Sequence, residues 1–391
     1  MFNLFLIYFL IFLSNNYVLS ENRLEIPEEE LTAPEIIKYY GYKCEIHSVT
    51  TKDGYILEMH RIPSGRNESE KNLKSKKPVV YLQHGLLASS FDWVANLPNQ
   101  SLGFILADAG FDVWMGNVRG NVYSSKHEKS FVGKDEYWKF TWDEMSSIDL
   151  PAMVDKALRL VGTLIMFAQL ASDNPEFKNK IIKYFALAPV ATIKYMKGLI
   201  SLSGKLFGKS FNILNKHFGS HEFLPSNWAS KLFAKMLCSP ILSSSICDNI
   251  MFLIGGTDNS QLNETRIVVY TKHEPAGTST RNIAHWMQQS GLVQKFDYGT
   301  ENENRLIYGQ IKPPIYNLTN INTVPIYLFY SDSDWLATDK DVEETIIKQI
   351  PKENIKIAKK LPNFNHFDFI WGINAPDKIY KGMIEEISKE N

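Results

Sequence analysis

A short apolar run, Pro78–Gln83 (PVVYLQ), bounded by Lys76-Lys77 before it and His84-Gly85 after it, constrains the fold more than any other stretch. Such a run between polar residues has the pattern of a strand buried on both faces, which belongs in a parallel sheet. The chain then turns and delivers Leu86-Leu87-Ala88-Ser89 to the carboxyl end of that strand, the edge where open α/β sheets bind ligands. A glycine at the turn lets the following N–H groups point into a cleft, and two such groups can stabilise an oxyanion as an acyl carbonyl turns tetrahedral. Alone, the stretch reads equally well as an ordinary strand-to-loop turn.

The neighbouring text repeats the alternation. CEIHSVTT and YILEMHRI, within Cys44–Arg61, are two strands joined at Lys52-Asp53-Gly54, a hairpin signal. Thr32–Tyr40 predicts a short helix with Thr32 as N-cap and Pro34 in its first turn. Leu102–Ala109 predicts a helix closed by Gly110, and Phe111–Met115 another buried strand. Apolar residues at helical spacing run from Pro151 through Leu160 and again through Thr163–Ser172. Ile181–Pro189 and Val324–Tyr330 read as core strands, Asp339–Ile350 as a helix, and Ile355–Lys359 as a short strand before a loop and a terminal helix. Val190–Tyr316 shows no strand–helix alternation and reads as an inserted cap. The expectation is therefore an α/β fold, a mostly parallel sheet with helices on both faces, in which residues 21–190 and 321–391 form the core and residues 191–320 the cap.

The chain of 391 residues is long enough for one large α/β domain with an insertion, or for two domains. It is 44% hydrophobic and 22% charged, with a formal net charge of −1, so no basic stretch argues for nucleic acid. Met1–Ser20 has an apolar region from Phe2 to Leu13, too short for a membrane span, then Asn15-Asn16 and a Val18-Leu19-Ser20 end. It reads as a cleaved secretion signal, although it carries no Lys or Arg at its start, and no ER-retention signal is expected at Ser388-Lys389-Glu390-Asn391. Cys238 and Cys247 are the natural disulfide pair among three cysteines, leaving Cys44 free. Sequons at Asn67, Asn99, Asn263 and Asn317 fit the same secretory route.

Several long motifs lie in a fixed order: YLQHGLLASSFDW, GFDVWMGNVRGNVYSSKH, WDEMSSIDLPAMVDKAL, YFALAPVATIKY, HEPAGTSTRNIAHW, SDSDWLATDKDV and FNHFDFIWG. Together they resemble the acid lipase family of α/β-hydrolases, over nearly the whole chain from about Ile26 onward. The resemblance implies esterases that use a Ser-His-Asp triad on lipid esters, at a lipid–water interface and beneath a helical lid, in secreted or lysosomal settings. It carries the catalytic histidine onto His366 and the aspartate onto Asp334, with Asp332 and Asp339 as competitors. It carries the first oxyanion-hole N–H onto Leu86, and it matches Cys238 and Cys247 to a cap disulfide. The residues agree: Asp334 follows a core strand, His366 comes later on a loop, and Asp before His near the C-terminus is the α/β-hydrolase order. No metal or organic cofactor is implied.

The nucleophile elbow G-x-S-x-G appears nowhere in the sequence. The resemblance implies a strand and the elbow, about a dozen residues, where Leu160-Val161-Gly162 instead runs into Thr163-Leu164. If Gly162 is the elbow's last glycine, Leu160 occupies the serine position, and a leucine cannot be acylated. Ser172, Ser279 and Thr163 lack the strained turn that would present a nucleophile. Without the strand, its two neighbours must close the gap or leave backbone groups unpaired, at roughly 1–3 kcal/mol for each buried group. A single helix through Val154–Ala171 is the other local solution. The sequence therefore predicts no covalent ester hydrolysis by this chain as written. The alternatives are a non-catalytic secreted lipid-binding protein, or loss of the dozen residues from this sequence through a skipped exon or a wrong gene model.

Overall fold

A computed structural model of the protein describes residues 26–68, 76–157, 164–198, 201, 221–223, 254–256, 261–289 and 291–389. Helix α1 (Ala33–Tyr39) starts where Thr32 donates its backbone N–H and hydroxyl to the Glu35 carboxylate. This reciprocal cap, with Pro34 in the first turn, fixes the helix start. Strands β1 (Glu45–Thr50) and β2 (Tyr55–Ile62) form the expected antiparallel hairpin, turning through Gly54 at φ 96°. β1 alternates between half-buried and exposed residues because it is the outer strand.

Strand β3 (Val79–Gln83), helix α2 (Leu102–Asp108) and strand β4 (Asp112–Gly116) make the predicted parallel unit, with Val79 opposite Asp112 and Gln83 opposite Gly116. β4 is buried at every position, as a central parallel strand covered on both faces must be. A two-residue strand, β5 (Lys126–His127), pairs with the start of β2. Helix α3 (Leu150–Ala157) buries Leu150, Met153, Val154 and Ala157, and helix α4 (Leu164–Ala171) is buried throughout. The Leu160–Thr163 junction lies outside the described residues. Strand β6 (Tyr184–Leu187) follows.

Much of the expected cap, including residues 202–220 and 224–253, lies outside the described residues. What is described there includes helix α5 (Ile267–His273), helix α6 (Thr280–Met287) and a two-stranded ladder of β7 (Glu222–Phe223) with β8 (Thr278–Ser279). Strand β9 (Ile326–Ser331) is buried at every position, and strand β10 (Ile355–Leu361) runs parallel to it, two residues longer than its sequence pattern. The last helix, α7, spans Lys381–Ser388.

The strand order is β1-β2-β4-β3 in one section and β10-β9-β6 in the other. Among the described residues β3 is laddered only to β4, and β6 only to β9. Among the described residues no strand joins β3 to β6. Loops from the carboxyl ends of β3, β9 and β10 carry the residues singled out in the sequence.

Candidate active site

The segment after β3 is held by two buried histidines. His84 Nδ1–H donates to the Gly85 carbonyl at 2.8 Å, and its Nε2 accepts from the Val118 N–H at 3.2 Å. Both roles require the neutral ring, and burial pushes its pKa down to about 4. Leu86 lies at the surface, 39% exposed, and among the described residues no acceptor is bonded to its N–H. Leu87 sits at φ 62°, a left-handed conformation that costs a non-glycine residue of order 1–3 kcal/mol. Its carbonyl accepts from Ala276 N–H at 2.6 Å, which ties this strained turn to the chain between α5 and β8.

Further along, the Ser90 hydroxyl meets His60 Nδ1 at 2.8 Å, and His60 Nε2 meets Glu58 at 2.8 Å. The composition is that of a catalytic triad. Both Ser90 and His60 are wholly buried, and Asn117 brackets Ser90 through its N–H (2.9 Å) and its hydroxyl (3.2 Å). The Glu58–His60–Ser90 relay therefore holds the segment in position from inside the core.

Asp334 and His366 come together. His366 Nδ1 lies 2.9 Å from Asp334 Oδ2, while Asp334 Oδ1 accepts the N–H groups of Leu336 and Ala337, each at 2.8 Å. Asp334 is wholly buried and the His366 side chain is 23% exposed. Among the described residues no group is bonded to Nε2, so the ring offers that nitrogen outward. The Gly255 carbonyl accepts from both Trp335 N–H and His366 N–H at 3.1 Å, binding the two loops to each other. Gly256 must be a glycine: its φ is 132°, and a Cβ there would stand 2.1 Å from the Ser333 carbonyl. A carboxylate so placed fixes the imidazole tautomer and stabilises the imidazolium, so Nε2 can take up a proton.

The other predicted residues lie elsewhere. Asp332 is exposed and accepts from the Ser333 hydroxyl at 3.2 Å, and Asp339 pairs with Lys360 at 2.6 Å. The Ser172 hydroxyl donates to the Gln169 carbonyl at 2.6 Å, and that of Ser279, fully buried, donates to the Phe140 carbonyl at 2.6 Å. Leu160, Thr163, Cys238, Cys247 and Met1–Ser20 lie outside the described residues. Cys44 is a free thiol whose pKa burial pushes up to about 11. Asn67, Asn99 and Asn317 are exposed and Asn263 is half-buried.

Sequence reasoning missed two acids. Asp92 is buried, and its Oδ1 has no hydrogen-bond partner. Burial pushes its carboxyl up to about 7, with His366 acting in the opposite direction. Glu274, just after α5, has Oε2 sealed from solvent and equally unpartnered. Burial and then the Asp92 charge hold its carboxyl well above the usual range. Both stand inside quoted motifs, FDW and HEPAGTS. An acid beside Trp93 and an acid before Pro275 were the available signals.

This geometry defines an α/β-hydrolase: parallel strands feed an oxyanion-type turn, an acid and a histidine at their carboxyl edge. A partial alpha/beta-hydrolase lipase region matches residues 33–97. The fold resembles the solved structure of monoglyceride lipase from Saccharomyces cerevisiae (TM-score 0.53, 14% identity, covering 89% of this chain and 97% of that one). It also resembles a putative lipase from Acinetobacter baumannii (TM-score 0.54, 11% identity, 95% and 100%). In sequence, the chain is 46% identical to lipase lipl-5 of Caenorhabditis elegans over 375 residues, 92% of each. It is 40% identical to gastric triacylglycerol lipase of Bos taurus over 378 residues, 93% of each. It is also 40% identical to lysosomal acid lipase/cholesteryl ester hydrolase of Rattus norvegicus over 382 residues, 93% of this chain and 92% of that one. The chain belongs to the acid lipase family of ester hydrolases.

Proposed function

We propose that this chain is a lipid-ester-binding member of the family that keeps the acid–base half of a Ser-His-Asp machine and lacks its nucleophile. On a serine presented at Nε2, His366 would take the hydroxyl proton and return it to the leaving alcohol. Asp334 would orient the ring, and the Leu86 N–H would hold the oxyanion of an acylglycerol or other lipid ester. The observation that carries the reading is the absence of G-x-S-x-G from all 391 residues. That no strand among the described residues pairs with both β3 and β6 supports it.

The secretion-signal pattern at Met1–Ser20 and the four sequons support a secreted destination, with the lysosome as the alternative, and cysteines 238 and 247 bridging the cap over residues 191–320. No described helix is long and apolar enough to cross a membrane. The test offers the purified chain a triacylglycerol emulsion and, separately, a fluorescent fatty acid. The proposal expects no released fatty acid but saturable binding. Release of fatty acid that His366→Ala abolishes would overturn it.

A further inference from the structure

The segment after β3 and the stretch following α5 touch at several points. Ala276 N–H donates to the Leu87 carbonyl at 2.6 Å, the Ser89 hydroxyl reaches Glu274 Oε1 at 3.4 Å, and the Phe91 ring stacks on His273 at 4.0 Å. Within this contact each segment contributes one acid, and each acid has one sealed oxygen without a partner. Two buried carboxylates that feel one another cannot both ionise cheaply, and a proton retained by either removes the repulsion.

We infer that Asp92 and Glu274 form a proton-holding pair that clasps the Leu86–Asp92 segment to the Glu274–Thr278 segment while protonated and loosens it once both acids ionise. The groups around them fit. Facing Asp92 are Glu274, Tyr380 and His366, of which only the histidine can become cationic. Facing Glu274 are the Ser89 hydroxyl, Asp92 and the buried phenol of Tyr123, with His273 next to it in the chain. Among these neighbours no lysine or arginine stands ready to neutralise a second negative charge.

The direction follows from linkage. The folded chain holds the Asp92 proton up to about 7, whereas the unfolded side chain releases it near 3.8. Asp92 therefore lowers folding stability progressively as pH rises between these values, and its full cost is present above the upper one. A clasp of this kind keeps the oxyanion side of the cleft assembled in acid. It does not depend on a nucleophile.

The test uses the full chain. Amide hydrogen exchange, corrected for intrinsic rate, is followed for peptides covering residues 86–94 and 273–278 from pH 4.5 to 8.5, alongside urea unfolding. The wild type should keep protection while Glu274 still holds its proton and lose it in both peptides together toward the alkaline end of this range, where both acids ionise. Asp92→Asn, which keeps the shape and cannot ionise, should hold protection throughout and take up about one proton fewer on folding between pH 4 and 7. Asp92→Ala should lose protection at every pH, which separates titration from packing. His84 and Asp143, whose pKa values burial shifts to about 4 and about 6, titrate in wild type and variant alike and cancel in the difference. Protection that is independent of pH in the wild type, or lost by Asp92→Asn in parallel with it, would overturn the inference. If Asp92→Asn does not fold, Glu274→Gln and the wild-type profile still decide it.

Discussion

Asp334 divides its two oxygens between structure and chemistry. Oδ1 satisfies two backbone donors of its own loop, and Oδ2 meets His366. Truncation to alanine would strand the buried Ala337 N–H, the half-buried Leu336 N–H and the histidine's Nδ1–H. Each buried donor left unpaired costs about 1–3 kcal/mol. Asp334→Ala should therefore lower unfolding stability by several kcal/mol in urea titration, while Asp332→Ala, at an exposed site, should cost under about 0.5 kcal/mol. Equal costs would mean that the two aspartates had been assigned the wrong way round. His366 and Asp334 were legible in the sequence because each stands in a long motif after a strand-like run. Asp92 and Glu274 were not, because a carboxylate gives no local sign of burial. Their burial arises from packing between segments far apart in the chain.

At the level of elements, residues bounded by strong punctuation were read well. Asp53-Gly54 placed the hairpin, Thr32 and Glu35 the start of α1, and Gly110, at φ 92°, the turn after α2. β10 runs on through Lys360-Leu361, past the Ile355–Lys359 that its sequence pattern marks, because pairing with β9 decides its length. β5 is two residues long and owes its existence to β2. The contact that locks the Asp334 loop to the His366 loop comes from residues 255–256, which carry no sequence signature beyond two glycines. Gly256→Ala would force a Cβ into the Ser333 carbonyl at a positive φ and should cost more than about 1 kcal/mol. Amide exchange should quicken first across residues 332–338 and 363–367. Unchanged exchange there would show that the carbonyl of Gly255 does not hold the site together.

For the molecule as a whole, everything around the missing segment is that of a lipase family member. Strands β3 and β6 are present, the acid and histidine meet, and the relatives align over 92–93% of this chain. What the sequence lacks is a G-x-S-x-G turn, and among the described residues the sheet comes in two sections. The most direct measurement is labelling of the purified chain by a fluorophosphonate, beside a version carrying a strand and a G-x-S-x-G turn inserted between Leu160 and Thr163. The account predicts no label on the chain as it stands, and label on the restored chain that His366→Ala removes. Label on the unrestored chain that depends on His366 would contradict it, because some other residue would then be serving as the nucleophile.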